Sequence, residues 1–234
     1  MRAIYKRELG SYMNRVAGYI YMAFLLLFAA LICLYLNVPV GSAGFENMLN
    51  MLAALLILVM PLLAVQGMSA ERRSRNDRWL YSLPIQLHEV VLGKYFAMLT
   101  LFGSCCAVLA VYPLLLRSFG MASLSVAYTS LIGFFLLGAA VLALCVFLVA
   151  LTSNAFVGVL IGVGGTLVLY LFDLFASVIP VDAIATALSA LSPFSRFSSI
   201  CNGAFDLTSL LYDVCFAVFF LYLTYQMMEH KRRR

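Results

Sequence analysis

Charged side chains are what this sequence has least of. Aspartate, glutamate, lysine and arginine make up 11% of its 234 residues, while 65% are hydrophobic. Soluble domains carry about 25% charged and about 45–50% apolar residues. A chain of this composition needs a solvent other than water, and its mean hydropathy of +1.03 agrees. No GxxxxGK[ST] phosphate loop is present, which excludes nucleotide hydrolysis by the usual route. Gly93-Lys94 comes nearest but lacks both the upstream glycine and the following hydroxyl. Histidine is nearly absent, and His88-Glu89 opens like a metalloprotease helix without the second histidine that would complete it. The ten acidic residues are scattered, which argues against a charge-rich metal site. The six cysteines, Cys33, Cys105, Cys106, Cys145, Cys201 and Cys215, show no CxxC spacing. Five of them lie in apolar runs, where a free thiol behaves as a small hydrophobe. No small-residue cleavage site follows the first apolar stretch, so the N-terminal segment reads as retained.

What the chain does have is long apolar runs. Spans are expected at about 18–36, 48–68, 95–116, 128–151, 156–179 and 210–228, against the ~20 residues that a helix needs to cross a bilayer. Residues 125–179 form one apolar tract of 55 residues. As a single helix it would be about 80 Å long, far beyond a ~30 Å hydrocarbon core. Its only polar break, Thr152-Ser153-Asn154, divides it in two. With the N-terminus inside, thirteen lysines and arginines fall on the cytoplasmic side and only Arg117 and Arg196 outside. The net charge of +5 therefore reads as membrane orientation rather than nucleic-acid binding. An even number of spans returns the C-terminus to the cytoplasm, where Lys231 to Arg234 agree, and this describes a multi-pass protein of the cytoplasmic (inner) membrane.

Three segments are neither spans nor simple loops. Residues 1–15 place Tyr5, Leu9, Tyr12 and Met13 at helical spacing among basic residues, which suits a helix lying in the interface. Residues 180–207 are too apolar for a solvated loop, and 182–191 suits a short helix dipping into the interface. The most charged stretch is 69–93. There Trp79, Leu80 and Leu83 share one face of a short helix that Pro84 ends, an apolar knob suited to a groove on a soluble partner or to the bilayer surface. Asp173 stands near the outer end of the fifth span beside Tyr170. Ionisable residues in spans are functional candidates, although such a carboxylate can also snorkel to the interface. Gly158, Gly162 and Gly165 form a small-residue stripe for close helix packing. Pro61 and Pro113 are expected kinks, and Asp206 an N-cap.

The stretch from Glu71 to Lys94 resembles the ABC-2 permease family at Glu71, Arg72, Ser74, Leu80, Leu83, Pro84, Val91, Leu92, Gly93 and Lys94. Leu191-Ser192-Pro193-Phe194, then Phe197, Asn202-Gly203, Phe205-Asp206-Leu207 and Leu211-Tyr212, are similar to its Gld-type/NosY-like branch. Arg75, Asn76 and Arg78 depart from the family pattern, which leaves the identity of the ATPase partner open. The resemblance implies an all-α membrane protein: one domain over 1–234, six transmembrane helices, an N-terminal elbow helix, a cytoplasmic coupling helix between spans 2 and 3, and short outer helices between spans 5 and 6. It implies a permease subunit of an ATP-driven ABC transporter, expected to export, with no cofactor of its own and with ATP and magnesium in a partner ATPase present in two copies. A second permease chain, identical or related, would complete the pathway. Glu71, Arg72, Arg75, Arg78, Trp79, Leu80, Leu83 and Pro84 would couple to the ATPase. Tyr170, Asp173, Pro193, Phe194 and Phe197 would line or gate the pathway.

Two other readings stay open. One is a membrane anchor or assembly subunit that does not transport. The other is an intramembrane hydrolase built on Gly67-Met68-Ser69-Ala70, a rhomboid-like motif that lacks a histidine within the membrane. No span carries a dense charged or aromatic cage, so a peptide, lipid or amphiphile suits the chain better as cargo than a small hydrophilic ion. The thirteen-to-two asymmetry gives a direct test. Reporters fused after Arg234 and inserted at Asn76 should both read as cytoplasmic in intact cells, and opposite readings would overturn the orientation.

Overall fold

A computed structural model describes residues 2–14, 16–40, 44–73, 87–117, 124–152, 154–178, 188–201 and 207–232. Among these residues every regular element is a helix: α1 (Arg2–Asn14), α2 (Val16–Val40), α3 (Phe45–Arg73), α4 (Leu87–Leu109), α5 (Tyr112–Arg117), α6 (Leu124–Leu151), α7 (Ala155–Val178), α8 (Pro193–Cys201) and α9 (Leu207–Arg232). Six stretches are long and apolar enough to cross a membrane: Gly18–Tyr35, Phe45–Met68, His88–Arg117, Leu124–Leu151, Ala155–Ala176 and Leu207–His230. The helices outrun the apolar runs in the sequence, most of all at α4. That helix already starts at Leu87 because Glu89 and Lys94 are good helix formers and His88 is tolerated, although all three lower the hydropathy there.

The bundle is built around two spans. In α6, apolar on every side, 72% of an 18-residue apolar stretch is buried, and in α3 67% of such a stretch is. Spans α2, α4, α7 and α9 surround them, and α7 is the most peripheral, with 17% buried. Leucines 27, 31, 34, 160, 174 and 211 point outward, as expected of surfaces whose solvent is hydrocarbon. The two ends of the bundle are called basal, where α1 and the start of α4 lie, and distal, where α8 and the start of α9 lie.

In hydrocarbon every backbone group must find a partner inside the protein, and the prolines show how this is met. Pro61 has no N–H to donate to the carbonyl of Ile57, four residues earlier in α3. Thr166 of α7 fills the gap: its Oγ1 lies 3.1 Å from the Ile57 oxygen, and 3.0 Å from the Gly162 and Val163 carbonyls of its own helix. One hydroxyl proton is thus shared across the joint. The approach depends on Gly162, where an added Cβ would lie 2.8 Å from Pro61 Cβ. Pro113 acts differently. It separates α4 from α5, and the hydroxyl of Tyr128 on α6 donates to the Ala110 carbonyl at 3.4 Å at the break. The 55-residue tract divides at its polar break, where Asn154 Oδ1 accepts from the N–H of Phe156 at 3.0 Å and caps α7. The expected N-cap Asp206 lies outside the described residues.

At the basal end α1 packs along α4. A side chain on Gly93 would meet Ile4 at 3.1 Å, and Tyr5 donates to Thr100 Oγ1 at 3.0 Å, the Thr100 proton being directed to Phe96 O at 2.6 Å. A Cβ on Gly67 would sit 2.5 Å from the Tyr12 hydroxyl and 2.6 Å from the Met98 sulfur, so α1, α3 and α4 converge on this glycine. Lys94, only 2% exposed, donates to the Gly67 carbonyl at 3.4 Å.

The joint between α3 and α7 is open to test. Thr166→Val keeps the shape of the side chain and removes its hydroxyl, which should cost about 1 kcal/mol, between the ~0.6 typical of hydrogen bonds in membranes and the ~1–3 of an unsatisfied buried group. Gly162→Leu should destabilise more, by forcing the two helices apart. Denaturation of the purified protein in detergent measures both, and equal stability of all three proteins would overturn the joint.

Candidate functional site

At the distal end a cavity of about 670 Å³ opens between α2, α3, α7 and α8. Helical periodicity assembles it. On α3, Asn47, Asn50, Met51 and Ala54 recur at three- and four-residue steps and turn one stripe toward it, joined by Ala53. Tyr170 and Asp173 do the same on α7, and Phe194 and Ser198 on α8, while α2 adds Ile32. The Tyr170 and Phe194 rings meet edge to face at 84°, with centroids 5.5 Å apart. The hydroxyl of Ser195 on α8 reaches the Asp173 carboxylate.

Helix α8 is short and amphipathic, and several bonds hold it in place. Ser192 Oγ, just before it, donates to the Leu169 carbonyl of α7 at 2.9 Å. Tyr212 of α9 donates to Leu191 O at 2.8 Å. The Arg196 guanidinium lies 4.1 Å from the centre of the Tyr212 ring and donates to Ala190 O at 3.1 and 3.3 Å. The opposite face of α8 enters the core, where Phe197 is 1% exposed and packs against Phe134 at 6.0 Å. Cys201, at the end of α8, is buried, and burial pushes its thiol up to about 12, which keeps it protonated and inert at neutral pH.

The five residues proposed for a pathway or gate therefore separate. Tyr170, Asp173 and Phe194 come together at the cavity. Pro193 is buried at the first turn of α8, where its missing N–H costs nothing, and Phe197 belongs to the core. Asn47 and Asn50 were not singled out from the sequence; the available signal was a pair of amides three residues apart at the head of an apolar run. Glu71 and Arg72 lie in the last turns of α3, and Arg75, Arg78, Trp79, Leu80, Leu83 and Pro84 lie outside the described residues. Among the described residues no three histidine, cysteine, aspartate or glutamate side chains gather as metal ligands. The cysteines are free.

A second carboxylate, Asp213 of α9, is 1% exposed, and neither of its oxygens has a hydrogen-bond partner among the described residues. It is distinct from the cavity.

The recess thus combines polar and apolar groups beside the joint between a peripheral and a central span. The family model described as ABC-2 family transporter protein matches residues 18–224. The chain belongs to this family. No curated protein matches it. ABC-2 permeases are membrane transport components without catalytic activity of their own, and they generally work with an ATPase subunit. The six apolar helices make this permease a multi-pass membrane protein.

The burial pattern predicts a labelling contrast. With Cys33 and Cys215 replaced by alanine, a hydrophilic maleimide should modify Asn50→Cys within minutes and leave Phe197→Cys unmodified. Equal labelling at the two positions, read by mass spectrometry on the folded protein, would mean that the cavity is closed or α8 differently placed.

Proposed function

We propose that this permease forms half of the membrane pathway of an ATP-driven exporter, and that the distal cavity is part of that pathway. The observation that carries the reading is the family match along almost the whole chain, joined to a polar recess within the apolar bundle. Two permease chains, identical or related, meet along the pathway, and two copies of a separate ATPase dock beneath them and supply ATP and magnesium. Within the family the Gld-type/NosY-like branch fits best, on the residues from Leu191 to Tyr212.

In this reading the basal end is cytoplasmic. The ATPase engages a coupling segment that starts in the last turns of α3 with Glu71 and Arg72 and continues through Arg75, Arg78, Trp79, Leu80, Leu83 and Pro84. The elbow helix α1 rests on α3 and α4 through Tyr12, Gly67 and Gly93, so a push on the coupling segment reaches α1 and two spans together. Support for this comes from the convergence on Gly67, since close-packed small-residue contacts transmit displacement rather than absorb it. Residues 188–201 close over the distal cavity as its lid.

Co-purification with the ATPase tests the reading. The wild-type chain should carry the ATPase through affinity purification and stimulate hydrolysis in proteoliposomes. Trp79→Asp together with Leu80→Asp should lower retention of the ATPase at least about tenfold, because two apolar anchors at an interface centre are replaced by desolvated charges. Unchanged ATPase binding would remove the docking assignment. Intact coupling with no ATP-driven movement of any solute would favour the membrane anchor.

A further inference from the structure

We infer that the distal cavity is a binding site for amphiphilic cations: a positively charged nitrogen or phosphorus centre attached to a hydrocarbon body. The inference deepens the proposed function and rests on the reading of this cavity as part of the pathway. It names the chemical class that the walls would accept.

Charge decides the sign. Among the described residues that line the cavity, Asp173 is the only charged one, and no lysine or arginine stands with it. Arg196, on α8, is occupied elsewhere: its guanidinium is held by the Ala190 carbonyl and lies over the Tyr212 ring of α9. A carboxylate at membrane depth gains most from a ligand that brings the opposite charge, since the local dielectric is low and a pair there is little screened. An anion would meet that carboxylate with no cation to offset it.

The remaining walls decide the kind of cation. Tyr170 stands beside Asp173, half-buried, with Phe194 (3% exposed) packed at right angles behind it, so the Tyr170 ring is the aromatic surface that a ligand at the carboxylate would meet. A weakly hydrated cation gains from such a face, and the gain grows as water is excluded. Ile32, Met51, Ala53 and Ala54 form an apolar wall on the α2 and α3 side, and methionine adapts to ligands of varied shape. Asn47, Asn50 and Ser198 add neutral polar groups that bind water or a ligand hydroxyl without adding charge. The volume fits as well. About 670 Å³ is large for a single metal ion and lies within the ~300–1,000 Å³ of sites for organic ligands. Carboxylate, aromatic ring and apolar wall together describe a recess for a cation with a greasy body.

Tetraphenylphosphonium and tetraphenylborate have the same shape and opposite charge, and they make a matched pair of probes. Equilibrium dialysis against the full chain in nanodiscs, with empty nanodiscs subtracted, should give saturable binding of the phosphonium and none of the borate. Asp173→Asn should weaken phosphonium binding at least about tenfold, the loss expected for one partly desolvated charge pair, and Asp173→Glu should largely preserve it. Asn50→Lys, at an exposed position on the facing wall, should abolish phosphonium binding and admit the borate, which keeps the test valid if Asp173→Asn fails to fold. Equal binding of the two probes by the wild-type protein would overturn the inference, as would undiminished phosphonium binding by both Asp173→Asn and Asn50→Lys. Transport separates this inference from the reading beneath it. Charge-selective, Asp173-dependent binding without ATP-driven phosphonium movement in proteoliposomes with the ATPase would keep the site and discard the pathway. Movement that survives Asp173→Asn and Asn50→Lys would keep the pathway and discard the site.

Discussion

The contact between Pro61 and Gly162 is the constraint that fixes the peripheral span α7 to the centre of the bundle and, with it, one wall of the distal cavity. A proline in a membrane helix leaves a carbonyl that no water can reach, and here the Ile57 carbonyl is met by the Thr166 hydroxyl of the neighbouring span. The bond forms because Gly162 lets the α7 backbone lie directly against the proline ring. Gly162 and Thr166 of α7 thus meet Pro61 and Ile57, far away in sequence, and help hold the least buried span to a central one. At the break between α4 and α5 a neighbouring span again supplies a hydroxyl to a carbonyl outside the helices, Tyr128 donating to Ala110 O. These defects in helix continuity are also the points at which one helix recognises another.

The fold was legible because hydropathy is a strong signal over twenty residues. The six spans, and the division of the 55-residue tract at Thr152–Asn154, follow from the lengths of the apolar runs and from one polar break. The early start of α4 was not legible. His88, Glu89 and Lys94 interrupt the apolar run without interrupting the helix, since helix propensity and hydrophobicity are separate properties of a side chain. The stripe Gly158, Gly162 and Gly165 announced close packing, and its partners are Val65 and Val149, Pro61, and Leu148.

The cavity was legible in part. Asp173 and Tyr170 were visible as a carboxylate and a phenol where a span should be apolar, and Phe194 belonged to a segment too greasy for a loop. Nothing in the periodicity of one helix says which other helix it will face. The pairing of the Asn47–Asn50 stripe with Tyr170 and Asp173 could not be read for that reason, and neither could the inward turn of Phe197, three residues from Phe194. Both aromatics of this nine-residue helix are buried, Phe194 against Tyr170 of α7 and Phe197 against Phe134 of α6, so angle around the helix rather than residue type decides which neighbour each one meets.

The position of the joint along its two helices has a mechanical consequence. Asn50 lies eleven residues from Pro61 along α3, and Asp173 eleven residues from Gly162 along α7. At about 1.5 Å per residue both cavity walls stand about 16 Å from the pivot. Two arms of equal length meeting at one point behave as a pair of tweezers. A change of about 10° in the crossing angle would move the tips by about 3 Å, on the order of a methyl group's diameter, while the pinned carbonyl keeps its hydrogen bond. The glycine that brings the helices together therefore also sets how far any change in their crossing angle would be felt at the recess.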